Sequence, residues 1–343
     1  MNPAARDRLF GYQHAFDDAV TRAICVALLI VLVFVPLLLW LMRSRAWIDA
    51  PIALELRRRY YSWLVLIPVL LAPILLGAAW MIIGVGLLSL FCYREYARAT
   101  GLFRERTVSL VIVFGIIAVT LAVLDHWYRL FVALTPLTVG LIAAAALFAD
   151  RPKGYIQRVA LGALGFLLFG TALGHLGYFA NDERYRPLVI LILLAVELND
   201  VFAFVCGKAL GRHQLAPNTN PNKSVEGALG ALFLTTVLVV VVGSFIYTAE
   251  YREAHGVTAG KQLRNLILLG VIIGSVGQLG DLVLSSVKRD LGLRNFGTLI
   301  PGHGGLLDRF DSLILVAPAA FHFTNYVAGI GHHEPIHVFS GSW

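Results

Sequence analysis

Charge is what this sequence has least of. Only 14% of its 343 residues are Asp, Glu, Lys or Arg and 58% are hydrophobic, against roughly a quarter charged in soluble domains. Polar interruptions are too sparse for the one-sided stripes of a water-soluble fold, which excludes an ordinary soluble enzyme. Cysteine is scarce too. Cys25, Cys92 and Cys206 stand far apart, each in or beside an apolar run, so neither a disulfide framework nor a thiolate metal site is indicated and all three read as packing residues. No internal repeat or low-complexity tract is visible. The first apolar run ends in Trp40 to Arg45 rather than in a small-residue cleavage site, and reads as a retained anchor.

What is present in abundance is uninterrupted apolar sequence, in runs long enough to cross a bilayer. They fall at 24–42, 61–93, 107–124, 130–149, 159–180, 187–207, 227–248, 265–287 and 311–330. The second would make a helix of about 50 Å, well beyond a ~30 Å hydrocarbon core. A break near Pro73 to Gly77 into two short helices resolves this and brings the crossings to about ten. The fold class is therefore all-α, a polytopic integral membrane protein. Three portions are distinguished: an N-terminal extension 1–60 with one span and a basic loop, core spans 61–180, and a catalytic part 181–343 with loops 208–226 and 288–310.

Lys and Arg number 28 against 21 Asp and Glu, a formal charge of +7. In a membrane protein that excess belongs to loops on the cytoplasmic side facing anionic lipid, so membrane lipids are the expected partners and nucleic acid is not. Arg43, Arg45 and Arg57 to Arg59 mark one such loop, Arg94, Arg98, Arg104 and Arg106 the next. Loops near 150–158, 208–226 and 288–310 are also rich in positive charge, whereas those near 125–129, 181–186 and 249–264 are poorer, although Arg252, Lys261 and Arg264 weaken the contrast in the last. The alternation puts both termini on the outer side. Localisation in a bacterial inner membrane, with the chemistry on the cytoplasmic side, is the expectation.

Two segments on that side hold most of the polar residues that helix ends do not explain. In the first, Glu197 and Asp200 share one helical face inside an apolar run, followed by Lys208, Arg212, Lys223, Ser224 and Glu226. Intramembrane acids are costly and by default functional, the bland alternative being an interfacial position or a pairing with Lys. The Asn- and Pro-rich stretch 217–222 reads as an ordered loop. In the second, Asp281, Ser285 and Lys288 follow i, i+4, i+7 spacing, one stripe carrying a carboxylate, a hydroxyl and an ammonium. Carboxylates suit a hard cation such as Mg²⁺, and Lys or Arg neutralises phosphate charge. His303 lies among glycines that allow close backbone approach, and Asp308 and Asp311 share a face at the start of the last span. Each part has a tame reading, as turn former, back-bonding serine or topology marker. Together they favour a site for metal and phosphate.

The stretch from Ser285-Ser286-Val287-Lys288-Arg289 through Pro301-Gly302-His303-Gly304-Gly305-Leu306-Leu307-Asp308-Arg309-Phe310-Asp311 resembles the signature of the phosphatidate cytidylyltransferases, or CDP-diacylglycerol synthases. Asn199-Asp200-Val201-Phe202-Ala203-Phe204 and Pro221-Asn222-Lys223-Ser224-Val225-Glu226-Gly227 are similar to that family's second conserved region. The likeness covers about 60–330 and is sharpest within 197–312. It implies a Mg²⁺-dependent nucleotidyltransferase of phospholipid biosynthesis, converting CTP and phosphatidate to CDP-diacylglycerol and pyrophosphate, with a second metal ion and a homodimer both compatible with it. By the same resemblance Asp281 and Asp308 ligate Mg²⁺, with Asp311 and Asp200 as further ligands or orienting groups. Lys223, Lys288, Arg289 and Arg309 bind phosphates, and Asn199 and Ser285 hydrogen-bond them or the metal waters. His303 either contacts a phosphate or caps the turn.

The family's usual Lys-Asp is Arg294-Asn295 here, which keeps the cation, loses a carboxylate and leaves the acceptor lipid open; residues 1–60 look like an addition. The rival readings are cytidylyl transfer to another lipid phosphate, a catalytically silent binding subunit, and a transporter with Asp200 and Asp281 along an ion path. The last should repeat its acids in matched halves, and no such duplication is found. His332, His333 and His337 read as an interfacial tail rather than a metal site, and His175 and His322 as hydrogen-bonded core residues. The triple arginine 57–59 reads as a topology determinant or lipid contact, and Trp40, Trp47, Trp80 and Trp127 as an aromatic belt.

Overall fold

The structure is a computed structural model and describes residues 3–45, 49–148, 150–182, 184–300, 304–329 and 338–340. A short α1 (Pro3–Phe10) leads into α2 (Ala19–Ser44), α3 (Ala50–Leu76), α4 (Ala78–Thr100), α5 (Arg106–Leu124) and α6 (Tyr128–Leu147). The next span runs through α7 (Tyr155–Gly165), a π-helical stretch (Phe166–Ala172) and α8 (Leu173–Tyr178), and α9 is Tyr185–Leu210. Strands β1 (Gln214–Ala216) and β2 (Asn220–Ser224) form an antiparallel ribbon before α10 (Val225–Ile246), α11 (Ala249–Ala254), α12 (Ala259–Asp290) and α13 (Leu307–Ala328). Among the described residues nine helices are long and apolar enough to cross a membrane. The 22-residue α13, expected as a further span, is long enough but not apolar enough to count with them, and the protein is an all-α polytopic membrane protein.

Helix starts follow local chemistry. Asp18 accepts the N–H groups of Val20 and Thr21 at 2.8 and 2.9 Å ahead of α2, Ser224 caps α10 and Thr258 caps α12. The long 61–93 run is divided as expected, at Gly77, whose φ of 134° is a conformation L side chains rarely adopt. A Cβ there would also strike the carbonyl of Leu9. The halves are not short, however: α3 begins at Ala50 and α4 continues to Thr100, so each is a full-length helix. Arg57, Arg58 and Arg59 consequently sit inside α3 rather than in a loop, with Arg59 2.6 Å from Glu55 one turn earlier. The reason is that an arginine-rich turn continues an α-helix readily, so hydropathy ends before the helix does.

Contacts sort the connections into two ends. At one, Arg8 donates to His126 at 2.9 Å, Arg186 donates to the Gly11 carbonyl at 2.7 Å, and Asp125 accepts the N–H groups of Val338, Phe339 and Ser340. At the other, Glu95 meets Leu306 and Leu307, Arg158 meets Glu105, and Lys288 meets Asp308. The chain thus alternates ends as a serpentine does. Between them, His175 hydrogen-bonds the Thr171 carbonyl at 2.8 Å and packs edge-on to Phe131, as a core histidine should. His322 rests against His175 with ring centroids 4.8 Å apart but faces outward, because it lies on the exposed side of α13. Cys92 is buried, Cys25 and Cys206 are half-buried, and all three are free thiols. His332, His333, His337 and Trp47 lie outside the described residues.

Candidate active site

Three spans and the ribbon build one charged chamber. Helix α9 brings Asp200, β2 brings Lys223, α12 brings Asp281, Ser285, Lys288 and Arg289, and α13 brings Asp308, Arg309 and Asp311, around a cavity of about 430 Å³. Four carboxylates and five basic side chains line it, Arg294 among the latter and Asn295 beside it. Burying so many charges is tolerable only if they neutralise one another. The residual balance is cationic, which suits an anionic ligand.

The i, i+4, i+7 stripe on α12 is formed as its spacing implies. Ser285 donates to Asp281 Oδ1 at 3.0 Å, while Asp281 Oδ2 pairs with Lys223 Nζ. The ribbon is what carries Lys223 to this place. Its base is closed by Glu226, which accepts the backbone N–H groups of Arg212 and His213 and meets the His213 ring at 2.6 Å. Arg289 donates to the Thr219 carbonyl at 3.0 Å and ties the ribbon's turn to α12, so the 217–222 stretch is ordered by hydrogen bonds rather than by packing.

Lys288 Nζ donates to Asp308 Oδ1 at 3.0 Å and lies 3.8 Å from Asp311 Oδ2. Asp308 has a second attachment: its Oδ2 accepts the N–H groups of Phe296 and Gly305 at 2.9 and 3.0 Å. The carboxylate therefore clamps both ends of the loop between α12 and α13. Gly304, at φ 87°, turns that loop back beside Asn295 and Asp308, where a Cβ would crowd both. Asp311 is 5% exposed and accepts the N–H of Ser312 at 2.8 Å. Asp200 makes no hydrogen bond with a described residue, and its carboxylate is one of those lining the chamber. Arg309 lines the chamber too, and its buried Nε has no hydrogen-bond partner among the described residues.

Not every expected residue arrives here. Asn199 is fully buried between spans: it donates to the Gly274 carbonyl of α12 at 3.4 Å and accepts from Thr235 of α10 at 3.0 Å. Its amide is engaged in joining three helices and it is not among the chamber-lining residues. The face that Asp200 turns to the chamber is about 100° round the helix from that of its neighbour. Glu197 lies along a different, apolar cavity. His303 lies outside the described residues.

One functional side chain had no signal in the motif. Glu95, near the end of α4, accepts the N–H of Leu306 through Oε1 at 3.1 Å and of Leu307 through Oε2 at 2.8 Å. It packs where Gly297 and Gly305 leave no side chain. In the sequence it stands among arginines at the end of a span and passes for part of a topology marker. The N-terminus of α13 has no side-chain cap of its own, and this remote carboxylate occupies that role, where negative charge is favoured.

A sequence model described as the cytidylyltransferase family matches residues 57–327. A protein of Escherichia coli (strain K12) named "Uncharacterized protein YnbB" is 29% identical over 279 residues, covering 79% of this chain and 88% of the relative. Proteins named phosphatidate cytidylyltransferase are also similar: that of Staphylococcus saprophyticus is 38% identical over 156 residues, 45% of this chain and 56% of its own. That of Staphylococcus aureus (strain COL) is 35% identical over 165 residues, 48% of this chain and 55% of its own. The chain thus spans little more than half the length of the relatives that carry the name of an activity.

Proposed function

Because the chain belongs to the cytidylyltransferase family, we propose that it transfers a cytidylyl group from CTP to the phosphate of phosphatidate, giving CDP-diacylglycerol and pyrophosphate. The observation that carries this reading is the gathering of Lys223, Lys288, Arg289, Arg294 and Arg309 with four aspartates in one chamber at a single end of the helix bundle. Both substrates are anions, and a membrane-embedded protein must meet one from the lipid and one from water. We place the chamber at the cytoplasmic face of a bacterial inner membrane, where arginine-rich connections belong and CTP is found.

The reaction is an in-line displacement. An oxygen of the lipid phosphate forms a bond to the α-phosphorus of CTP, the bond from that phosphorus to the α–β bridging oxygen breaks, and pyrophosphate leaves with the electron pair. No protein nucleophile is required. Lys223 and Lys288 already stand against carboxylates and can exchange them for phosphate oxygens, while Arg289 and Arg294 neutralise the triphosphate. Arg309, with its unpartnered Nε, is assigned to the lipid phosphate. Holding two anions in register and offsetting the charge that develops on the leaving group is most of the catalysis.

The donor set fits Mg²⁺. The acids that line the chamber, Asp200, Asp281, Asp308 and Asp311, offer hard oxygens only, the donor type that Mg²⁺ takes together with substrate phosphates and water. Asp281 and Asp308 are the proposed ligands, with Asp200 and Asp311 in support. Asp308 keeps acceptor capacity on Oδ1 beyond its bond from Lys288. When bound, Mg²⁺ would polarise the α-phosphate and stabilise departing pyrophosphate.

The test is labelled CTP with purified protein, Mg²⁺ and a panel of lipid phosphates. Pyrophosphate and CDP-diacylglycerol are expected in equal amounts with phosphatidate, and both should vanish in Asp281→Asn and Asp308→Asn. Full turnover in both variants would remove the metal assignment, and turnover only with another lipid phosphate would replace the acceptor.

A further inference from the structure

A second cavity, of about 570 Å³, lies between α2, α3 and α9. Its walls are mostly apolar, with Ile24 and Leu28 from α2, Trp63 and Ile67 from α3 and Leu193 and Leu194 from α9, and the charged Arg59 and Glu197 also line it. It touches the charged chamber, since Asp200, Phe204 and Arg309 line both. A ligand that occupies the two together must be anionic at one end and hydrocarbon at the other. Arg309 stands at the junction with a buried donor to offer.

One wall comes from outside the family-matched region, which begins at residue 57, whereas Ile24 and Leu28 belong to α2. They are four apart and share a face of that helix. The helix is buried only at Val20, Thr21 and Ile24, and Val33, on the opposite side from Ile24, is 63% exposed. Further along, Tyr60 of α3 donates to the Leu32 carbonyl at 2.9 Å. The helix is thus fastened at its first turns and again at Leu32, with Leu28 over the cavity between the two attachments.

We propose that α2 completes an acyl-chain site, and that through Ile24 and Leu28 this added helix sets which chains the lipid substrate carries. The inference rests on the lipid-phosphate reading above. The apolar cavity takes the hydrocarbon of a diacyl lipid phosphate while its headgroup reaches Arg309 at the junction. Its size is limited by side chains of α2, so substitutions there act on long chains and spare short ones.

The experiment compares dipalmitoyl and dihexanoyl phosphatidate as acceptors for the unsubstituted protein, for Leu28→Trp, and for Val33→Trp as the outward-facing control. Leu28→Trp should raise KM for the dipalmitoyl lipid about tenfold, the loss expected when roughly two buried methylenes are displaced. KM for CTP and for the dihexanoyl lipid should stay near wild type, and Val33→Trp should change none of them. Equal effects on both lipids, or none on either, would overturn the proposal. A second measurement needs neither turnover nor a variant: a dipalmitoyl phosphatidate bearing a chain-terminal diazirine should label the Ile24 to Leu28 segment, and excess unlabelled phosphatidate should compete. Labelling confined to the outward face around Val33, without competition, would sink the site. Specific labelling of a protein that does not turn over phosphatidate would instead defeat the functional reading and leave the acyl site standing.

Discussion

The carboxylate of Glu95 on α4 accepts the backbone N–H of Leu307 at 2.8 Å, so a helix from the first half of the chain holds the start of the helix that bears Asp308 and Asp311. The same side chain also takes the N–H of Leu306. Asp308 in turn clamps Phe296 and Gly305. Glu95 therefore positions a loop whose own residues line the chamber, and touches no chamber residue of opposite charge itself.

Glu95→Ala leaves two helix-terminal donors without their acceptor. Hydrogen bonds to a charged group are worth about 1.5–3 kcal/mol, so kcat should fall by about one to two orders of magnitude with a smaller change in KM for CTP. Glu95→Gln, which keeps one acceptor oxygen, should recover part of the loss. A wild-type kcat in Glu95→Ala would show that the loop is held without it.

The Lys288–Asp308 pair, at 3.0 Å with side chains 11% and 6% exposed, predicts a stability effect separable from catalysis. Lys288→Met strands a buried carboxylate and should cost about 3 kcal/mol, seen as a lower midpoint in detergent melts. Adding Asp308→Asn should restore part of the stability and none of the activity. A melt unchanged by Lys288→Met would mean that the ion pair is not structural.

Tyr60 supplies a third test. Pro36 sits inside α2 and has no N–H for the carbonyl four residues earlier, which is that of Leu32. The Tyr60 hydroxyl fills the gap at 2.9 Å, as a freed carbonyl at membrane depth demands. Tyr60→Phe should destabilise the protein by about 1 kcal/mol. In a Pro36→Ala background, where the helix bond is restored, the same change should be near neutral. Equal costs in both backgrounds would refute the coupling.

At the opposite end, Asp125 makes a pH-dependent latch. Burial pushes its carboxyl up, yet hydrogen bonds from the Ser340 hydroxyl and from the backbone of Phe339, Ser340 and Val338 together bring it below the ordinary aspartate value. A depressed folded-state value gives stability that is complete above the unfolded value of about 3.9 and lost as pH falls through the folded one. Protection of the Val338 to Ser340 amides, measured against their intrinsic exchange rate at each pH, should accordingly be high at neutral pH and be lost under acid conditions below that range. Asp125→Asn should show little protection at any pH, and strong protection in that variant at neutral pH would contradict the latch.

Much of this was legible in the residues alone. A chain 58% hydrophobic has to bury its backbone hydrogen bonds inside helices when lipid surrounds it, so most of the spans follow from apolar run length, although the expected tenth, α13, is not apolar enough to count among the nine. The stripe Asp281, Ser285, Lys288 was readable because helical spacing is fixed by geometry, and the aspartates drew attention because acids are expensive in such runs. Periodicity does not say how a helix is rotated against its neighbours, nor which helix it meets. Only the tertiary structure decided that Asn199 joins α9 to α10 and α12 while Asp200 faces the chamber. It also decided that Lys223 reaches Asp281 on a β-ribbon, and that Glu95, 211 residues from Leu306 in sequence, caps the last helix. Such contacts depend on packing between distant segments, and local sequence carries no record of them.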